Sequence, residues 1–199
     1  MSKGGTAPAR RRGRARQQLL EAAARRFYAD GLAATGIDTI TAEAGVAKMS
    51  LYNNFASKAD LVRAYLLARH EEWLGLYWRR LERARGPREG VLAVFDAYAD
   101  HAEQAYDHGF RGCGLLNAAA ELPAGDPDRA VVRAHKEEVE DLLAGHLDGL
   151  LPGRPAEARA LAEHLSFLLE GAVARAGLEG DSTRLHHARQ LASALLDAL

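Results

Sequence analysis

Apolar residues recur every three or four positions along most of this chain, which is the spacing that one face of an α-helix produces. The first such segment carries Leu19, Leu20, Ala23 and Phe27 and stops at Gly31. Glycines, prolines and capping residues divide the remaining pattern into similar segments. We therefore predict about nine helices, over residues 14–30, 37–44, 48–55, 58–85, 87–107, 112–122, 127–149, 155–177 and 182–198.

The composition indicates an all-α protein. Only 15 of the 199 residues are Ile, Val or Thr, which is too few strand formers for a large sheet. The single cysteine, Cys113, excludes an internal disulfide and a multi-cysteine metal site. No apolar run reaches the roughly 20 residues of a membrane span, and the basic N-terminus lacks an apolar signal core, so we expect a cytoplasmic protein without membrane contact.

Charge is distributed unevenly between the two ends of the chain. Residues 1–58 hold ten Lys and Arg against four acids, whereas residues 59–199 hold 16 against 23. This asymmetry favours a basic head that meets a polyanion, although a basic tail without a partner would give the same balance. Residues 1–13 lack periodicity, and we interpret them as a flexible basic arm. The arginines of this region would lie in a minor groove or attract phosphates non-specifically. They are Arg10, Arg11 and Arg12 of the arm, and Arg14 directly after it.

Residues 35–61 have the pattern of a helix-turn-helix. Two short helices meet at Gly45, where glycine tolerates a positive φ angle. Thr35, followed three positions later by Asp38, resembles a capping box for the first of these helices. The second helix would then be the one that enters a DNA groove.

This second short helix has an apolar face and a polar face. At about 100° per residue, Leu51 and Phe55 point into the core, and no acid occurs between Glu43 and Asp60. The opposite face carries side chains able to contact base edges in the major groove, namely Met49, Ser50 and Asn53. Side chains placed for phosphates are Lys48, Tyr52, Asn54 and, at the next helix start, Lys58.

Residues 14–61 resemble the DNA-binding segment of the TetR/AcrR family of transcriptional regulators. The matching residues are Phe27, Gly31, Ile40, Ala44-Gly45-Val46, Leu51-Tyr52, Phe55, Ser57-Lys58 and Asp60-Leu61. The resemblance implies three N-terminal helices that bind double-stranded DNA, and a body that binds a small molecule and dimerises. It also implies phosphate contacts for Tyr52, Asn54 and Lys58, and a backbone contact for Thr35.

Three positions depart from the family pattern. Thr41 stands where alanine is common, and Ala47 stands where a serine often caps the third helix. Asn53-Asn54 replaces an aromatic or histidine pair on the face that reads DNA. No operator sequence can therefore be taken over from the family.

We expect the arm to be followed by a DNA-binding domain over residues 14–57 and a ligand-binding and dimerisation domain over residues 58–199. The last two helices are rich in leucine and small residues, so they form either a four-helix interface with a second copy, as the resemblance implies, or an intrachain core pair. Cys113 is either a redox sensor or an inert core residue.

The resemblance places a ligand cavity among the fourth to eighth helices. The candidate lining residues are Trp73, Tyr77, Phe95, Tyr98, Phe110, Asn117, Glu121, His135, Phe167 and Glu170. Asn117 and Glu121 are four positions apart on an otherwise apolar helix. They either orient a ligand or close hydrogen bonds within the fold.

The sequence thus predicts a ligand-responsive repressor that binds a two-fold symmetric operator as a homodimer and is released by a small molecule. No nucleophile elbow, phosphate-binding loop or zinc-protease motif occurs, so we expect no enzyme, no metal and no cofactor. One alternative is an all-α small-molecule binding or enzymatic bundle whose helix-turn-helix is only scaffold. Another is a non-specific nucleoid or membrane-surface protein that uses the basic arm.

Overall fold

The computed structural model describes residues 7–104 and 106–199, which form helices and contain no strand. The helices are α1 (Ala7–Asp30), α2 (Ile37–Ala44), α3 (Lys48–Tyr52), α4 (Lys58–Leu81), α5 (Pro87–Ala102), α6 (Gly114–Glu121), α7 (Pro127–Leu150), α8 (Pro155–Glu179) and α9 (Thr183–Asp197). The all-α prediction and the order of the helices are confirmed.

Helix ends marked by proline or a capping side chain lie where the sequence predicts them. The Ser57 hydroxyl accepts a hydrogen bond from the Asp60 backbone N–H at 3.1 Å, which caps α4. The Asp126 carboxylate accepts one from the Asp128 N–H at 2.9 Å, and Pro127 takes the first helical position of α7.

Ends without such signals differ from the prediction. The first helix begins at Ala7 rather than at Arg14, so the second half of the predicted arm is helical. Alanine and arginine are strong helix formers, and they extend α1 toward the N-terminus although residues 7–13 have no apolar periodicity. The rest of the arm, residues 1–6, and the side chains of Arg10, Arg11 and Arg12 lie outside the described residues. The fourth and fifth helices end four and five residues earlier than predicted.

The core is continuous from the N-terminal helices to the C-terminal ones. α1 packs on α2, α3, α4 and α6, while α5 packs on α4, α7 and α9. The largest enclosed side chains include Tyr65 and Tyr77 of α4, Phe95 of α5 and Phe55 after α3. Within the described part of the chain, no helix is both long enough and apolar enough to cross a membrane.

Candidate nucleic-acid interface

The turn between α2 and α3 is built on a left-handed glycine. Gly45 has φ 63° and ψ 34°, a conformation that costs glycine little. Its N–H donates to the Ala42 carbonyl at 3.2 Å, and the Val46 N–H donates to the Thr41 carbonyl at 3.1 Å. These bonds end α2 and turn the chain into α3.

α3 presents the face that the helical wheel assigns to the outside. Leu51 and Phe55 are buried against the core, whereas the Met49 side chain is 68% exposed and Tyr52 is 49% exposed. Asn53 and Lys48 are also exposed. Ala47 begins the helix without a side-chain hydrogen bond, in agreement with the weak cap that its sequence predicts. A short exposed ridge without acidic residues therefore projects from the molecule.

The side chains of Asn54 and Lys48 on this ridge have partners within the protein. The Asn54 side-chain amide donates to the Ser50 backbone carbonyl at 2.7 Å, so it bonds to the preceding turn of α3. The Lys48 ammonium lies 2.7 Å from the Asp38 carboxylate of α2. That hydrogen bond and the charge of Asp38 raise the pKa of Lys48, so Lys48 is charged but partly neutralised.

The structure adds a cation that the sequence reasoning did not single out. The guanidinium of Arg16, on α1, lies 5.0 Å from the centre of the Phe55 ring, directly after α3. Arg16 is exposed, so α1 contributes positive charge next to the ridge. The basic run of residues 10–16 was the available signal, but its contact with Phe55 depends on how α1 packs.

Thr35 does not cap α2, and the capping-box prediction is wrong. The N-cap of α2 is Gly36, without a side-chain hydrogen bond. Thr35 is buried, and its hydroxyl donates to the Gly31 carbonyl at 2.7 Å. The hydroxyl therefore closes the end of α1, which leaves only the Thr35 backbone for the phosphate contact that the family resemblance implies.

Lys58 lies at the start of α4, and its ammonium donates to the Leu32 carbonyl at 2.5 Å. This bond ties α4 to the loop between α1 and α2. The same loop is held from the other side by Glu121 at the end of α6, which accepts hydrogen bonds from the Leu32 N–H at 2.9 Å and the Ala33 N–H at 2.7 Å. Asn117, the other candidate ligand contact on α6, donates to the Arg111 carbonyl at 2.9 Å. Both Asn117 and Glu121 therefore make hydrogen bonds within the fold.

A second set of bonds joins the body to the end of α1. The Arg111 guanidinium donates to the carbonyl of Tyr28 at 2.8 Å and also to that of Ala29. The Tyr28 hydroxyl accepts from the Arg111 N–H at 2.6 Å and donates to the Gly112 carbonyl at 3.1 Å. Movement of the chain before α6 would therefore displace α1.

The body contains a buried polar cluster around Lys136 of α7. Its ammonium lies 2.7 Å from the Glu170 carboxylate, 3.3 Å from the Tyr98 hydroxyl and 3.5 Å from the Cys113 sulfur. Burial opposes the charge of Lys136, but Tyr98, Cys113 and Glu170 outweigh that penalty and raise its pKa. Lys136 therefore remains protonated beside Glu170 in the interior.

Two histidines beside this cluster are neutral. Burial lowers the pKa of His101 to about 3 and the pKa of His135 to about 2. His135 shares a hydrogen bond with His70, with their Nδ1 atoms 3.0 Å apart, and lies 3.4 Å from the Tyr98 hydroxyl.

The other candidate ligand contacts fall into two groups. Most are buried in the body, namely Trp73, Tyr77, Phe95, Tyr98, Phe110 and His135. Phe167 is different, because it is 66% exposed on the outer side of α8, so its assignment to an interior cavity is wrong. It lies about 200° around the helix from both Leu165 and Leu169, which are buried.

Comparison with known proteins gives the same assignment for the N-terminal helices. The family model described as "Bacterial regulatory proteins, tetR family" matches residues 19–65. The HTH-type transcriptional regulator TtgR of Pseudomonas putida is 45% identical over 56 residues, which are 28% of this chain and 27% of that protein. The HTH-type transcriptional repressor KstR2 of Mycolicibacterium smegmatis is 35% identical over 92 residues, which are 46% of this chain and 44% of that protein. The chain thus matches less than half the length of these two relatives.

A solved structure extends the similarity to almost the whole chain. A TetR-family transcriptional regulator from Streptomyces coelicolor superposes with a TM-score of 0.84 at 31% identity. The match covers 94% of this chain and 96% of that one. The body as well as the N-terminal helices therefore follows this architecture.

Proposed function

The chain belongs to the TetR family of transcriptional regulators, and we propose that it is a repressor that binds a two-fold symmetric operator as a homodimer and leaves it when a small molecule binds. As a member of this family it is a DNA-binding regulator and not an enzyme. We divide it into a DNA-binding unit, residues 14–57, and a ligand-binding and dimerisation unit, residues 58–199. α1 extends the first unit to Ala7.

The observation that carries the proposal is the outward ridge of α3. Met49, Ser50 and Asn53 would meet base edges in the major groove, and Tyr52 and Asn54 would meet phosphates beside it. Lys48 would leave Asp38 and bind a phosphate oxygen instead. Lys58 would do the same in place of its bond to the Leu32 carbonyl. Thr35 would contribute its backbone N–H at the start of α2.

An exposed apolar surface on the last two helices supports the dimer. One side of α8 carries Phe167, Gly171, Ala174 and Leu178, with Leu178 84% exposed. α9 adds Leu191 and Leu195, both exposed. Large apolar side chains beside small residues are what a four-helix interface between two copies needs. By contrast, Leu165 and Leu185 are buried within one chain, so packing between α8 and α9 of the same chain accounts for these two residues.

The links between body and head support ligand response. Cys113 and Leu115 border a cavity in the body, and the bonds of Arg111 and Glu121 to α1 and its loop lie on either side of them. A ligand that displaces this segment would shift the two DNA-binding units of a dimer, here called heads, relative to each other and weaken binding to an operator of fixed spacing.

Selection of bound duplexes from a random pool by the purified protein tests this function. The proposal predicts a two-fold symmetric motif whose half-sites lie about one helical turn apart or a multiple of that distance. Retention of every duplex without enrichment would indicate non-specific binding and would overturn the operator proposal.

A further inference from the structure

Three buried side-chain atoms in the described part of the chain lack a hydrogen-bond partner: the Tyr65 hydroxyl, the Trp73 indole Nε1 and the Glu170 Oε2. Buried polar atoms of this kind are nearly always satisfied in folded proteins, by the protein or by something bound to it. The set contains a donor, an acceptor and a hydroxyl that can act as either.

Of these three residues, Trp73 lines one small cavity, and Tyr65 and Glu170 adjoin residues of its wall. Trp73, Cys113 and His135 line this cavity, as does Val173, which lies one turn from Glu170 on α8. Gly114 also lines it, and a Cβ atom placed there would come within 3.0 Å of the Tyr65 hydroxyl. The cavity measures about 20 Å³, which is enough for a single water molecule.

Lys136 contacts the wall of this cavity and also lines a much larger space. Its ammonium contacts Tyr98 and Cys113 in the cavity wall, and the same residue lines an open groove of about 600 Å³ between α6 and α7. Leu116 and Val132 give the groove apolar walls, and its open rim carries Asp126, Arg129 and Arg133. For a small organic molecule to occupy both the groove and the cavity, the Lys136 side chain would have to shift from its present position.

The charges around the cavity cancel. Lys136 is paired with Glu170, and Arg69 is paired with Glu72. His101 and His135 carry no charge at neutral pH. A charged group that enters this cavity would therefore meet only paired charges there, and its desolvation would oppose binding.

We propose that the effector is a neutral molecule whose polar group both donates and accepts a hydrogen bond, carried on an apolar body. The group would accept from Trp73 and donate to Glu170, and the apolar body would lie along the α6–α7 groove. This inference rests on the proposed function only in calling the ligand an effector, because the binding itself does not involve DNA.

The chain's two tryptophans allow a direct test, since Trp78→Phe leaves Trp73 as the only one. Trp78 is exposed on α4, and it is not among the cavity-lining residues. The full-length Trp78→Phe protein would be titrated with four compounds of one carbon skeleton, namely benzyl alcohol, toluene, benzoate and benzylamine. Tryptophan emission reports the cavity directly.

Benzyl alcohol is expected to change the Trp73 emission and to bind about tenfold more tightly than toluene, because only the alcohol meets the two unpartnered atoms. Benzoate and benzylammonium are expected to bind at least tenfold more weakly than the alcohol. Equal binding by all four compounds, or tightest binding by either ion, would overturn the proposal. Unchanged emission with every compound would mean that only water bonds to the unpartnered atoms of Trp73 and Glu170, and this result would also overturn the proposal.

Calorimetry on two further variants checks the contacts. Trp73→Phe is expected to weaken benzyl alcohol about fivefold relative to Trp78→Phe, the matched loss of an exposed indole. Glu170→Gln tests the acceptor without truncating the side chain, and it should reduce the preference for the alcohol over toluene. Unchanged preferences in both variants would contradict the assigned contacts.

The outcomes for ligand and for DNA are separable. Binding of the alcohol by a protein that selects no symmetric duplex would leave the ligand assignment standing and remove the operator proposal. Selection of such a duplex by a protein that binds none of the four compounds would leave the operator proposal standing and remove the ligand assignment.

Discussion

The Glu121 carboxylate lies 2.9 Å from the Leu32 backbone nitrogen, although the two residues are 89 positions apart in the chain. Its other oxygen accepts from the Ala33 N–H at 2.7 Å. Gly31 approaches the same carboxylate so closely that a Cβ atom there would lie 2.7 Å from Glu121 Oε1. The end of α6 thus fixes the loop that connects the two N-terminal helices.

We expect Glu121→Ala to weaken binding to a full two-fold operator about tenfold and to leave binding to a single half-site unchanged. The loop would lose two hydrogen bonds, worth about 1 kcal/mol together at this exposed position, and the two heads would no longer hold a fixed spacing. Fluorescence anisotropy with full and half-site duplexes measures both affinities. Hydrogen exchange should also accelerate at Leu32 and Ala33.

The control for this variant is Glu137→Ala, which removes an exposed glutamate from α7 without any contact to the α1–α2 loop. An equal loss at full and half-sites in Glu121→Ala would mean that the head itself is damaged. Equal affinities in Glu121→Ala and wild type would show that the Glu121 contact does not position the heads.

Lys58→Ala should weaken all DNA binding and reduce the slope of the logarithm of affinity against the logarithm of salt concentration. Each phosphate contact contributes about 0.9 to that slope, and a dimer would lose one contact in each head. A salt titration of binding to a selected operator measures it, with Arg79→Ala at the other end of α4 as the control. An unchanged slope would mean that Lys58 serves only its bond to Leu32.

Much of the fold could be predicted from the sequence because its helices are amphipathic and marked by caps. The 3.6-residue period predicts that Leu51 and Phe55 lie inside and that Met49 lies outside, and all three do. Pro127 and Ser57 fix the starts of their helices through local chemistry alone. Phe167 could have been assigned in the same way, since the helical wheel places it opposite Leu165.

Contacts between elements distant in sequence could not be predicted. Periodicity identifies the buried face of a helix but does not say which element covers it. The bonds of Glu121 to Leu32, of Lys48 to Asp38 and of Arg16 to Phe55 all depend on packing between helices. The prediction for Thr35 is wrong for the same reason, because its hydroxyl bonds back to α1 instead of forward to α2.

Leu178→Glu should convert the proposed dimer largely to monomer, with a dissociation constant raised on the order of 100-fold. The substitution places a carboxylate at the C-terminal end of the apolar side of α8, where the interface would bury it. Sedimentation velocity measures the change. Leu67→Glu, on an exposed part of α4, is the matched control and should leave the dimer intact. Dimers of equal strength in both variants would place the interface elsewhere.

The stability of the protein should fall as the pH is lowered from about 6.5 toward 4, in part because of two histidines. Burial lowers the pKa of His101 to about 3 and that of His135 to about 2, whereas both have pKa values near 6.5 when unfolded. Over this interval the two histidines become protonated in the unfolded chain but remain neutral in the folded chain. Each histidine therefore costs up to about 1.4 kcal/mol of unfolding free energy per pH unit.

Urea unfolding of His101→Gln and His135→Gln across this pH interval tests the assignment. Each variant should show a shallower pH dependence than wild type, by about 1 kcal/mol per pH unit. His108→Gln removes an exposed histidine and should retain the wild-type dependence. Identical slopes in all four proteins would mean that the buried histidines take up protons in the folded state.

The central claim is that the outer face of α3 lies in the DNA groove, and Met49→Glu tests it most directly. The Met49 side chain is 68% exposed, so the substitution should leave the fold and its unfolding free energy nearly unchanged. A carboxylate at this position would enter the negatively charged groove, and operator affinity should fall on the order of 100-fold, while Leu67→Glu on α4 retains wild-type affinity. If Met49→Glu bound the operator as tightly as wild type, α3 would not be the element that reads DNA.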